Sequence, residues 1–178
     1  MLNINDSLLL IIDIQEKLVK ACKDVETIGK KASILASTAK ILDIPAIVTE
    51  QYPQGLGGTI DEVKSVLAEG TIYKEKASFS AISSIADELT SLGRKQILLC
   101  GIEAHICVYQ TAMDLLDLGY DVYLVKDACS SRKDYEYQTG LELMKQAGAK
   151  LTCVETVLFE LLRTSKHPDF KSVQALIK

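Results

Sequence analysis

Ile97-Leu98-Leu99-Cys100-Gly101-Ile102-Glu103-Ala104-His105-Ile106-Cys107 is the stretch from which the rest of the chain is read. Ile97 to Cys100 form a short continuous apolar run, the pattern of a strand buried on both faces, and Gly101 ends it. From Ala104 onward the apolar positions Ile106, Tyr109, Met113 and Leu116 recur at three- and four-residue spacing, so a helix begins within a few residues of the strand. Cys107 falls in its first turn. Free backbone N–H groups and the positive end of the helix dipole lie there, and both favour thiolate over thiol. A cysteine so placed is either a nucleophile or a small buried apolar residue, and the neighbouring elements have to decide.

Outward from that stretch the chain alternates strands and helices. Strands are predicted at 8–12, 46–49, near 71–74, 97–100, 121–125 and 150–154. Helices are predicted over 18–22, 28–42, 60–67, 82–92, from 104, over 134–146, 155–162 and 170–177. Glu50 to Gly58 reads as a Gly- and Pro-rich loop, and Lys126 to Lys133 as a polar loop. Regular alternation implies βαβ units with right-handed crossovers. The predicted fold is therefore α/β: a three-layer α/β/α Rossmann-like sandwich with a six-stranded parallel sheet of order 3-2-1-4-5-6. In that order strands 1 and 4 are neighbours at the switch point, where ligands bind beyond the carboxyl ends. Asp13 ends strand 1 and Cys107 follows strand 4, so topology alone brings them together.

Composition bounds the rest. At 178 residues, 48% hydrophobic and 25% charged, with no Trp and three Pro, the chain fits a single aliphatic α/β domain spanning 1–178. A mean hydropathy of +0.15 points to apolar surface buried against other copies, a homo-oligomer such as a dimer or tetramer. Net charge is −4, and Lys and Arg are scattered, which excludes the basic footprint of a nucleic-acid binder. Five cysteines without a CxxC pair speak against a disulfide framework and for reduced thiols. The apolar run Leu8 to Ile12 is too short for a secretory or membrane-spanning segment. The expectation is a cytoplasmic protein with no membrane partner.

A thiol nucleophile needs a group to take its proton and a positive charge to hold the anion. Asp13 can supply the first. Lys76, after strand 3 on the same sheet edge, can supply the second, or it is a solvated surface lysine beside Lys74.

Three motifs in this order, Asp13-Ile14-Gln15, Lys76-Ala77-Ser78-Phe79-Ser80-Ala81 and Gly101-Ile102-Glu103-Ala104-His105-Ile106-Cys107, resemble the isochorismatase-like cysteine hydrolase superfamily. Residues Thr49 to Gly57 and His167-Pro168 are similar to the isochorismatase-domain-containing proteins. The resemblance implies a triad in which Asp13 is the general base, Lys76 stabilises the thiolate and Cys107 is the nucleophile. It also implies a cis peptide at Ile102–Glu103 and an oxyanion hole made by the N–H groups of Glu103 and Cys107. The implied reaction is hydrolysis of a small amide or carbamoyl-type C–N bond through a thioester on Cys107, with no cofactor.

One departure concerns metal. Nicotinamidases of this superfamily carry an Asp-x-His pattern after strand 2, where this chain has Glu50-Gln51-Tyr52, so no metal is expected. His105 reads as a helix-start histidine satisfied locally. Gln15, Glu50, Tyr52 and Phe79 lie at the same edge and are candidates to bind a small-molecule substrate, although Gln15 could be a first-turn residue and Phe79 core. Two readings from other classes stay open: a catalytically silent binding or regulatory protein, and a redox role for the Cys107 thiol with Cys129 as a spatial partner.

Overall fold

The computed structural model describes residues 1–178. Six strands form one parallel sheet: β1 (Ser7–Ile12), β2 (Ala46–Gln51), β3 (Ile72–Lys76), β4 (Gln96–Ile102), β5 (Asp121–Ser130) and β6 (Lys150–Thr152). Their order is β3-β2-β1-β4-β5-β6, as the alternation predicts. Every residue of β1 and β4 is buried, because helices cover both faces of the central strands. Nine helices accompany the sheet: α1 (Glu16–Ala21), α2 (Val25–Ile41), α3 (Pro53–Leu56), α4 (Asp61–Lys64), α5 (Ile82–Leu92), α6 (Tyr109–Asp117), α7 (Asp134–Gln146), α8 (Val154–Leu162) and α9 (Phe170–Ala175). Helices α2, α8 and α9 pack on one another, while α5, α6 and α7 form a second contiguous set. No helix is long and apolar enough to cross a membrane.

Within the segment Glu50 to Gly58, read as a loop, Glu50 and Gln51 close β2 and Pro53–Leu56 form α3, and three further local readings needed correction. Lys76 is the last residue of β3, opposite Gln51 of β2, and does not sit in a loop. Lys126 to Ser130 belong to β5, where a bulge sets Leu99 opposite Leu124 but Gly101 opposite Cys129. The polar Lys126 and Asp127 fall in that bulge, which made the segment look like a loop. Asp127 there pairs with Lys31 at 3.2 Å and accepts from the Val154 N–H at 2.8 Å. Finally, Ala104–Val108 is a π turn preceding α6, with the Val108 N–H reaching the Glu103 carbonyl at 3.2 Å. Cys107 thus lies in a widened turn and not in the first turn of a regular helix.

Two glycines let these elements approach. Gly101 has φ +136°, and a Cβ there would lie 2.1 Å from the Ile12 carbonyl oxygen. On α7, a Cβ at Gly140 would come within 2.8 Å of the Ala104 carbonyl oxygen, so α7 packs its backbone directly on the π turn.

Candidate active site

The sheet register delivers the polar residues to one edge. Ile12 pairs with Thr49 on one side and Gly101 on the other, so Asp13 emerges between β2 and β4. Its φ of +50° is left-handed, a conformation that aspartate tolerates better than most side chains. The Asp13 carboxylate is fully buried. Its Oδ1 accepts from Thr49 Oγ1 at 2.7 Å, and its Oδ2 is 2.7 Å from Lys76 Nζ. Lys76 is 2% exposed and donates also to the Ser78 and Phe79 carbonyls, at 3.1 and 3.0 Å. A surface lysine would do neither; this one is held inside by the loop that follows it.

Cys107 Sγ approaches both charges. It lies 3.5 Å from Gln51 Oε1, to which it donates, and the Asp13 and Lys76 charges are close enough to act on it electrostatically. Burial pushes the thiol up to about 12; the neighbouring Asp13 carboxylate adds to that rise, and Lys76 opposes it. This reverses the expectation of a lowered thiol at a helix start. With the thiol 6% exposed, desolvation of the anion outweighs the turn's N–H groups and the lysine together.

Glu103 follows a cis peptide at Ile102–Glu103, and its N–H has no hydrogen bond within the chain. Its carboxylate accepts from Arg132 Nε at 2.7 Å. His105 Nδ1 lies 2.9 Å from Ser131 Oγ, and its Nε2 is 3.8 Å from Glu136 Oε2. Glu103, His105 and Glu136 present ligand atoms within 4.8 Å of one another and are the residues that could hold a cation. Arg132 already neutralises Glu103 in that group.

The outer residues divide. Gln15 is fully buried, and its amide is spent on backbone: Oε1 accepts the Gln51 N–H at 2.7 Å, while Nε2 donates to the Gln51 and Gly57 carbonyls at 3.0 and 2.7 Å. It braces the loop and has no group left for substrate. Glu50 Oε1 accepts from both the N–H and the hydroxyl of Thr59, at 2.7 Å each, and is similarly committed. Tyr52 and Phe79 stand exposed at 63% and 51%. Two residues escaped the sequence reading. Gln51 faces the thiol and Lys76 alike, as its register opposite Lys76 could have indicated. Thr111 donates to the Cys107 carbonyl at 2.7 Å and accepts the Ala81 N–H at 3.0 Å, joining the π turn to the Lys76 loop; no sequence pattern marks it.

The isochorismatase domain profile matches residues 7–156. The chain belongs to the isochorismatase family. It has the isochorismatase-family hydrolase fold, as the three motifs implied. Isochorismatase domain-containing protein 2 of Xenopus laevis is 43% identical over 173 residues, 96% of this chain and 83% of that protein. The secreted isochorismatase effector Isc1 of Phytophthora sojae is 39% identical over 179 residues, covering 98% and 85%. The MAR1 ribonuclease of Caenorhabditis elegans superposes with a TM-score of 0.95 at 43% identity, covering 99% and 91%.

Proposed function

We propose that this isochorismatase-family chain is a cysteine hydrolase of small amide or carbamoyl-type C–N bonds. The observation that carries the reading is a buried Asp13–Lys76 ion pair of 2.7 Å set against the Cys107 thiol. A raised thiol is a poor nucleophile by itself, so its proton must leave as the bond to substrate forms. Asp13 takes that proton while Sγ attacks the carbonyl carbon. The resulting oxyanion is received by the free Glu103 N–H together with that of Cys107, donors of a kind typically worth roughly 3 kcal/mol each. Asp13 then hands the proton to the leaving nitrogen, and the C–N bond breaks to give a thioester and an amine. Water loses a proton to Asp13 and attacks the thioester; acid is released and the proton returns to sulfur. Lys76 keeps Asp13 in place through both halves and stabilises sulfur as it becomes anionic.

A small substrate suits a Cys107 that is 6% exposed, and the exposed Tyr52 and Phe79, which neighbour Gln51 and the Lys76 loop in the chain, are the side chains we assign to contact one. Such aromatic surface also supports a homo-oligomer in which copies cover one another's edges. All five cysteines are free, in keeping with a cytoplasmic setting. A redox sensor would use a lowered, accessible thiol, and Cys107 is neither.

The name of the C. elegans relative favours a second reading, phosphodiester cleavage. Net charge of −4 and a sealed thiol weigh against a polyanionic substrate. One experiment separates the readings: intact-mass spectrometry of wild type and Cys107→Ala with a panel of small amides and carbamates, beside an RNA oligonucleotide assay. A transient acyl mass on wild type alone, lost with release of acid, is the expected result. RNA cleavage that survives in Cys107→Ala, with no acyl mass on either protein, would replace the hydrolase reading.

A further inference from the structure

The thiol and the lysine share an acceptor that the triad does not include. Lys76 Nζ has three N–H groups and four oxygens around it: Asp13 Oδ2 at 2.7 Å, the Phe79 and Ser78 carbonyls at 3.0 and 3.1 Å, and Gln51 Oε1 at 3.3 Å. No lysine N–H is left to serve sulfur alone. Of the Asp13 oxygens, Oδ1 accepts from Thr49, while Oδ2 lies 2.7 Å from Lys76 Nζ without receiving a hydrogen bond and so stands open to take a proton later. The S–H group meets Gln51 Oε1 at 3.5 Å, within the range of a hydrogen bond from sulfur.

We propose that Gln51 is a positioning residue of this site: its Oε1 accepts the Cys107 S–H and one Lys76 N–H together, so that the resting nucleophile is held protonated and aimed. The inference rests on the cysteine-hydrolase reading for its meaning. The amide orientation follows from its neighbours, since a flipped Gln51 would turn its NH2 toward the lysine ammonium; as placed, Nε2 faces the Ala77 carbonyl at 3.5 Å. The backbone of Gln51 cannot drift, although its side-chain amide can turn. Gln15 binds both its N–H and its carbonyl, and β3 pairs it with Lys76. An acceptor for S–H stabilises the thiol, and by drawing on Lys76 it withdraws a donor that would stabilise the thiolate; both effects have the same sign. Attack then requires the S–H to turn from Gln51 to Asp13, a step that substrate entry would trigger by displacing the amide.

The test is an infrared measurement of the S–H stretching band, isolated by subtracting the Cys107→Ser spectrum from that of the full chain. Wild type should show a band lowered in frequency by hydrogen bonding, Gln51→Leu a band moved up toward a free thiol, and Gln51→Glu a band kept low. The bands of the other four thiols report whether each variant has kept the fold. In parallel, iodoacetamide labelling of Cys107 should change in opposite directions. In Gln51→Leu the thiolate fraction rises on the order of tenfold; because nucleophilicity falls with basicity, the labelling rate rises about threefold. Gln51→Glu should label more slowly than wild type. A Cys107 band that is missing in wild type, or unmoved in Gln51→Leu while the other bands hold, would overturn the inference. Acyl-adduct formation is scored separately: a shifted band without any adduct sinks the hydrolase reading and leaves the Gln51 assignment standing.

Discussion

Two charged clusters meet the π turn that carries Cys107, and they draw on similar chemistry. The inner one pairs Asp13 with Lys76, both side chains wholly buried. The outer one pairs Glu103 with Arg132 at the same 2.7 Å, but the arginine is 52% exposed. Distance is equal, and surroundings differ. In the inner cluster Lys76 spends its donors on Gln51, Ser78 and Phe79, and Asp13 Oδ2 has only the lysine charge beside it, so removing one charge strands the other without water. In the outer cluster solvent replaces whatever is lost. The difference teaches that a pair built into the fold for chemistry is recognised less by contact length than by what is left behind when one member is removed, which is why the inner pair is the one proposed to act on Cys107.

Several substitutions would break or sharpen that contrast. Lys76→Met leaves a buried carboxylate unpaired, and urea unfolding should show a loss of about 3 to 5 kcal/mol together with loss of the acyl adduct. Alkaline pH gives the next effect. The Cys107 thiol is raised from 9.0 to about 12 in the fold, so its protonated form is favoured by folding. That contribution is complete below pH 9 and is lost as pH rises from 9 toward 12. Wild type should lose stability more steeply than Cys107→Ala over that window, by about 1.4 kcal/mol per pH unit. Cys22 and Cys129, each raised to about 12 by burial, steepen the decline in both proteins and cancel in the comparison. Gly140→Ala presses α7 against the π turn and should cost about 1 to 3 kcal/mol in the same unfolding assay, with slower adduct formation. Arg132→Ala is the smallest change: less than about 1 kcal/mol, and weaker still at high salt. A large loss for Arg132→Ala, or a small one for Lys76→Met, would erase the distinction between the clusters.

Much of this was legible from the chain alone. The continuous apolar runs of β1 and β4 dictated central strands, and alternation dictated their order. With order in hand, Asp13 and Cys107 had to converge, whatever else they did. Lys76 was legible as a residue of that edge but not as a buried one, because the half-buried Lys74 and the exposed Glu75 before it on an edge strand make the run look solvated. The raised thiol was misread for a related reason: helix-start electrostatics depend on local sequence, whereas desolvation depends on β1, β2 and β3 closing over the turn. Gln15 and Gln51 show the same limit. An amide says nothing in sequence about whether it will bind backbone, sulfur or substrate; only the register of β2 against β1 and β3 decides.

The π turn at Ala104–Val108 has a further consequence for how such a site can change over generations. A regular helix advances 100° per residue, and a π turn fits one more residue into nearly the same rise. Deleting a single residue between Glu103 and Cys107 would restore regular winding and swing the thiol by about 100° away from Asp13, although Asp13, Lys76 and Cys107 would all still be encoded. The aim of the Cys107 thiol is therefore written in the length of this segment, and a one-residue deletion would dismantle the proposed site more thoroughly than most exchanges of one amino acid for another.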